Sequence, residues 1–304
     1  MEQQLVLGRH IAERRRRAGW TQAELARMLG RPAAWLSQLE QGLILAGPGA
    51  AGPLPAPVTC RHPDDDAGPD LARMLRQVLS RDDRHAEADS PRAFPPAFLA
   101  TTAAEVWNLA EAGRYDDLAA LLGDLIPELE TAARTTGSPQ QAGPHDLAAT
   151  CYQACSVALA RLGDHGSALA AADRALAAAH RAGDLLATAA SGYLLASILM
   201  ETGRHDQARM IASAAAESVK GPAASGDADA VVLRGALILL LALCAARAND
   251  PEEAGDQLSR ARVLAGRFGS HEIPGTGFGP GHVALYEIAV SIETGAPQPA
   301  RGKE

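Results

Sequence analysis

Seven of the first 42 residues are arginines: Arg9, Arg14, Arg15, Arg16, Arg17, Arg27 and Arg31. A guanidinium stays charged at any accessible pH and presents a planar fork of donors suited to phosphate oxygens. Four acids, Glu2, Glu13, Glu24 and Glu40, share the segment, which therefore carries +3 and leaves −11 for the remainder of a chain of net charge −8. A basic head on an acidic body points to an anionic partner at the N-terminus and to none of that kind for the body.

The other residues able to do chemistry are scattered. His62-Pro-Asp-Asp-Asp66 could hold a hard cation but reads as a solvated loop, and Cys60 with His62 lacks a second ligand pair at zinc spacing. Cys151 and Cys155 lie one helical turn apart and, with Cys244, read as core thiols rather than a disulfide framework. The nine histidines form no recognisable constellation, and there is no nucleophile elbow, phosphate-binding loop or dinucleotide fingerprint. No metal, no cofactor and no enzymatic activity are expected.

The elements that must position the arginines are helices. Leu5, Leu7, Ile11 and Ala12 form an apolar stripe, and Arg14 to Arg17 close that helix where positive charge suits the macrodipole. Gly19 is a left-handed cap. Thr21 with Glu24 three residues on is a capping box for a second helix from about Gln22 to Leu29. Gly30 makes the turn, Pro32 suits the start of a third helix, Trp35, Leu36 and Leu39 face inward, and Gly42 ends it.

The run GWTQAELARMLGRPAAWLSQLEQG, residues 19–42, resembles the helix-turn-helix of the phage-repressor-like, xenobiotic-response-element family of bacterial regulators, in its TQ-x-ELA stretch, its turn glycine and its closing L-S-Q-L-E-x-G. The resemblance implies that Thr21 and Gln22 anchor on phosphate and that the third helix enters the major groove of double-stranded DNA. The outward positions are then Ala33, Ala34, Ser37 and Gln38, of which Gln38 can pair with adenine while the alanines offer only methyl groups. Arg16 and Arg17 are the basic side chains expected to join this DNA-binding set. The family's domain continues with two more helices; here the chain enters LILAGPGAAGPLPAPVTC, too rich in Gly and Pro for helix, so the head reads as truncated.

Residues 43–95 read as a Gly/Pro-rich connector with one short helix, Leu71 to Leu79. From residue 96 to 304 hairpin turns recur as GRYDDL, GDHGSA, GRHDQA and NDPEEA, with a partial fifth, GAPQPA, at intervals of 50, 40, 46 and 46 residues. Small residues follow at helical spacing: Ala168, Ala172, Ala175 and Ala208, Ala212, Ala215. This resembles the tetratricopeptide repeat, stretched beyond its usual spacing by loops such as TTGSPQQAGP and KGPAASGDAD. The fold class expected is thus all-α: a short helix-turn-helix head at 1–42 and a tetratricopeptide-like α-solenoid at 96–304.

The repeat resemblance implies a concave face lined by Trp107, Gln153, Tyr193, Ser197, Met200 and His282, a mixed lining suited to a small molecule or a peptide. Each aromatic or Met there reads equally well as inter-helix packing. IPGTGFGPG, residues 273–281, is a tight connection or a lid. The most apolar segment, Val231 to Ala246, is interrupted by Arg234 and reads as shorter than a membrane span. With no signal peptide visible, the protein is expected to be cytoplasmic, with no membrane partner. Together these features suggest a DNA-binding transcriptional regulator whose helical repeats sense a small molecule or peptide and form a homodimer. The alternative is an interaction adaptor with a degenerate head.

Overall fold

The computed structural model describes residues 2–29, 31–43, 69–80, 94–135, 138–268, 271–273 and 276–295. The Gly/Pro-rich segment after Leu43, the acidic loop at His62 to Asp66 and the partial fifth turn beyond Gly295 lie outside them. The described chain is all-α apart from one two-stranded hairpin. By contact it falls into two compact units, Met1–Cys60 with Leu199–Glu304, and Arg61–Ile198. Grouping by contact therefore joins the head to the last hairpins, whereas the division into 1–42, 43–95 and 96–304 follows motif and composition.

The first unit opens with the head: α1 (Glu2–Arg17), α2 (Gln22–Met28) and α3 (Ala33–Glu40). Leu7, Ile11, Leu25, Leu29, Leu36 and Leu39 are its buried core. The second unit holds α4 (Pro69–Ser80), α5 (Pro96–Glu111), α6 (Tyr115–Thr135), α7 (Ser138–Arg161), α8 (His165–Ala182) and most of α9 (Leu185–Glu201). Helices α7 and α8 pack together along their length, and Ala168, Ala171, Ala172, Ala175, Ala178 and Ala179 of α8 are all buried. A row of methyl groups leaves room for two helix backbones to approach, which is why alanine recurs there at helical spacing.

The rest of the first unit comprises α10 (His205–Ser218), α11 (Lys220–Ala224), α12 (Ala228–Arg247), α13 (Pro251–Phe268), β1 (His271–Ile273), β2 (Thr276–Phe278) and α14 (Pro280–Thr294). Helix α12 is long and apolar enough to cross a membrane, which corrects the reading of that segment as too short. Of its most apolar window 78% is buried, and α10, α13 and α14 pack against it. Its apolar surface thus has protein as its partner.

The hairpin turns share one geometry. At Gly113, Gly163, Gly203 and Asn249 the backbone is left-handed, with φ of 70°, 79°, 76° and 59°. The amide of each donates to the carbonyl three residues back, and the next amide reaches five back, as in Arg114 N–H to Leu109 and Asp250 N–H to Ala245. That is the Schellman closure of a helix. The following helix begins one residue later, at Tyr115, His165, His205 and Pro251. The ring-bearing residue of the sequence motif is therefore the first residue of each second helix.

Two expectations need correcting. The segment read as a loop at 135–144 is helical from Ser138, and Pro144 lies inside α7. There Gly143 packs so close to Leu99 that an added Cβ would sit 2.6 Å from Leu99 Cδ1, so tertiary packing overrides the local breaker signal. The segment at 220–229 contains α11, a further Schellman turn at Gly226 and the cap Asp227, whose Oδ1 accepts from Ala230 N–H. The connection before α14 is an antiparallel hairpin pairing Glu272 with Gly277. Its Phe278 is buried over Gly235, where a Cβ would lie 2.5 Å from the ring.

Candidate nucleic-acid interface

The second and third helices of the head are held in a defined relation by one carboxylate. Glu40, at the end of α3, accepts from Arg15 Nε at 2.6 Å and Nη2 at 3.0 Å, and from Gln22 Nε2 at 2.8 Å. Arg15 also donates to the Trp20 carbonyl at 2.8 Å. Three helices thus converge on Glu40, and the Glu40 carboxylate raises the pKa of the Arg15 guanidinium. Helices α1 and α3 approach so closely that a Cβ on Gly8 would lie 2.5 Å from the Leu39 carbonyl oxygen. Only glycine allows that contact.

The start of α2 is a complete capping box. Glu24 N–H donates to Thr21 Oγ1 at 3.1 Å, and Thr21 N–H donates to Glu24 Oε2 at 2.7 Å. The Thr21 hydroxyl itself donates to the same carboxylate at 2.8 Å. These bonds hold the Glu24 carboxyl below its ordinary range. The cap fixes the entry to α2, but it also engages the Thr21 hydroxyl and sets a carboxylate beside it. Gln22 is likewise engaged, by Glu40. The side chains expected to anchor phosphate are therefore occupied internally, Thr21 by Glu24 and Gln22 by Glu40.

Helix α3 divides cleanly. Leu36 and Leu39 are buried, while Ala33, Ala34 and Gln38 are exposed and Ser37 is half-exposed. Gln41, which the sequence reading passed over, continues the same face and donates from Nε2 to Ser37 Oγ at 3.0 Å. The signal for it was available: Gln41 lies four residues after Ser37. Arg31 stacks its guanidinium 5.5 Å from the centre of the Trp35 ring.

The four-arginine run is split by its geometry. Arg14 turns towards Glu287 of α14, Arg15 towards Glu40, and exposed Arg17 pairs with Glu13 on the same helix. Arg16 is exposed, as are Arg9 and Arg27, and none of these three has a salt bridge among the described residues. An exposed pair such as Arg17–Glu13 contributes about 0–1 kcal/mol, so Arg17 can exchange it for a phosphate at little cost.

The residues assigned to a concave lining are divided between the units: Trp107, Gln153, Tyr193 and Ser197 in the second, Met200 and His282 in the first. All but His282 are buried. Gln153 Nε2 donates to Ser191 Oγ at 2.8 Å, Ser197 Oγ donates to the Tyr193 carbonyl at 2.8 Å, and Cys244 Sγ lies 3.2 Å from Met200 Sδ. No group of three or more His, Cys, Asp or Glu side chains placed to hold a metal ion occurs among the described residues. Burial raises the pKa of the Cys151, Cys155 and Cys244 thiols, which removes their nucleophilic form.

A family profile described as a helix-turn-helix domain matches residues 6–54. No curated protein and no solved structure matches the chain. The N-terminal segment, with its capped α2 and outward-facing α3, is a helix-turn-helix domain of the DNA-binding type.

Proposed function

We propose that the protein is a transcriptional regulator that binds double-stranded DNA through this head. The observation that carries the reading is the exposed face of α3, with Ala33, Ala34, Ser37, Gln38 and Gln41 on one side of a helix that Glu40 fixes against α1 and α2. In this reading Gln38 pairs with adenine, and the amides at the start of α2 with Arg16 and Arg17 hold phosphates. So few base contacts give a single head little affinity, so the active species is a homodimer that engages two half-sites. The helical hairpins sense a small molecule or peptide. A ligand reaching Trp107, Gln153, Tyr193, Ser197 or Met200 must part the helices that bury them, and such binding is itself a conformational change that shifts populations. The chain turns over no substrate and works in the cytoplasm, where its DNA is.

The experiment is fluorescence anisotropy on DNA from the gene's own upstream region across a salt series, with a scrambled duplex as control. Specific binding should weaken steeply with salt as counterions are released. Gln38→Ala should lower specific affinity by roughly 5- to 150-fold, and Arg17→Ala should reduce the salt slope by about one. Equal binding to both duplexes at every salt concentration would refute sequence recognition.

The engagement of Thr21 by Glu24 and of Gln22 by Glu40, with alanines at 33 and 34, favours a second reading. In it the head no longer reads DNA and the hairpins form a protein-interaction adaptor. Absence of DNA binding at low salt would select it.

A further inference from the structure

Arginine 14 belongs by sequence to a run that looks built for phosphate, yet its side chain is only 13% exposed. It lies on the face of α1 that packs on α14. Its Nη1 donates to Glu287 Oε2, and its Nε donates to His10 Nε2 at 2.8 Å. The other oxygen of Glu287 accepts from Arg262 of α13, through Nε at 3.1 Å and through Nη2. One carboxylate, itself 13% exposed, therefore holds an arginine of the head and an arginine of the last hairpin together.

The charges decide what this arrangement does. Two guanidiniums face each other across Glu287, and Arg262 acts on Arg14 as a like charge. With the carboxylate present the junction is attractive. Without it the same three positions would be repulsive, with His10 already held below its ordinary pKa range by burial and by Arg14. The reading face of α3 stays exposed while α1 is docked, so the contact presents the head rather than hiding it.

We infer that the Arg14–Glu287 ion pair, the inner arm of this bridge, is the joint that fixes the pose of the helix-turn-helix head on the α13–α14 hairpin, so that movement of that hairpin reaches the DNA-reading helix. The second clause rests on the regulator reading above; the first does not. Glu287 and Arg14 are positioning residues, and touching DNA is no part of their role.

The test uses the full-length chain with spin labels at Ala23→Cys in α2 and Glu252→Cys in α13, both exposed and both in the first unit, on a Cys60→Ser background. Pulsed dipolar spectroscopy reads the distance between them. The parent should give one narrow distribution. Glu287→Gln and Arg14→Gln should each broaden it at least twofold, and both should lower operator affinity at least fivefold. Arg262→Gln should leave it narrow, because the inner arm of the bridge remains. Arg14→Gln leaves α13 and α14 untouched, which guards against mistaking a folding defect for release; unchanged circular dichroism accompanies the expected result. A narrow distribution in both folded variants overturns the joint. Broadening with unchanged operator affinity overturns the transmission. Failure of the parent to bind DNA at all refutes the regulator reading, and the distances then still decide the joint.

Discussion

At the scale of single residues, the carboxylates carry more of the argument than the arginines that first draw attention. Glu40 accepts from two helices while belonging to a third. Replacing it with glutamine keeps the shape and removes the charge, and hydrogen bonds to charged groups contribute about 1.5–3 kcal/mol. Glu40→Gln should therefore lower head stability by about 2 kcal/mol in a chemical melt followed at Trp20 and Trp35. An unchanged midpoint would mean that the apolar core alone sets the angle between α2 and α3. Glu201 behaves differently. Burial pushes its carboxyl up to about 7, against the pull of Arg247. A raised folded-state pKa means that the stability from this group is fully present below about 4.5 and is lost as pH rises through about 7. Glu201→Gln holds the group in its neutral shape. Its melting temperature should match the parent at pH 4 and exceed it at pH 8, by an amount corresponding to roughly 3 kcal/mol. An equal difference at both pH values would rule out titration as the cause.

At the scale of elements, the turn and the close approach set the geometry. The left-handed closure at Gly113, Gly163, Gly203 and Asn249 ends a helix in the same way each time, and Gly19 closes α1 in the head likewise. Gly8 makes the complementary point. In a helix interior Gly→Ala ordinarily gains about 1 kcal/mol. Here the new methyl would lie 2.5 Å and 2.6 Å from two backbone carbonyl oxygens of α3, which cannot rotate away. Gly8→Ala should reverse the usual sign and destabilise the head by at least about 1–3 kcal/mol, the usual cost of overpacking. Hydrogen exchange at the α1 and α3 amides is the measurement; slower exchange in the variant would show that the helices had separated without loss.

For the whole molecule, the first feature is the grouping of residues 1–60 with 199–304. It places the head in one unit with α13 and α14, where Glu287 of α14 accepts from both Arg14 of α1 and Arg262 of α13. The proposed dimer belongs to this scale as well. Light scattering on the purified chain should give twice the 31.5 kDa chain mass at micromolar concentration. A monomer that nonetheless binds a full operator tightly would contradict the two-head arrangement.

Much of this was legible in the sequence because it depends on local chemistry. The capping box at Thr21 and Glu24, the turn residues Gly113, Gly163, Gly203 and Asn249, the ring residues that open the next helices and the alanine rows all follow from spacings of a few residues. So does the alternation on α3 that leaves Gln38 outward. Long-range facts were not legible. That Arg14 belongs to Glu287, 273 residues away, rather than to phosphate has no local signature, because four adjacent arginines look alike until α1 has a neighbour. That Gln153, Tyr193 and Met200 are buried, and that the Gly/Pro-rich stretches at 138–144 and 220–224 are helical, also depended on packing. Local spacing determines which residues can cap, turn and face outward; tertiary contacts determine which of the outward charges remain for a partner, because an ion pair forms wherever folding brings opposite charges together, whatever the intervening chain.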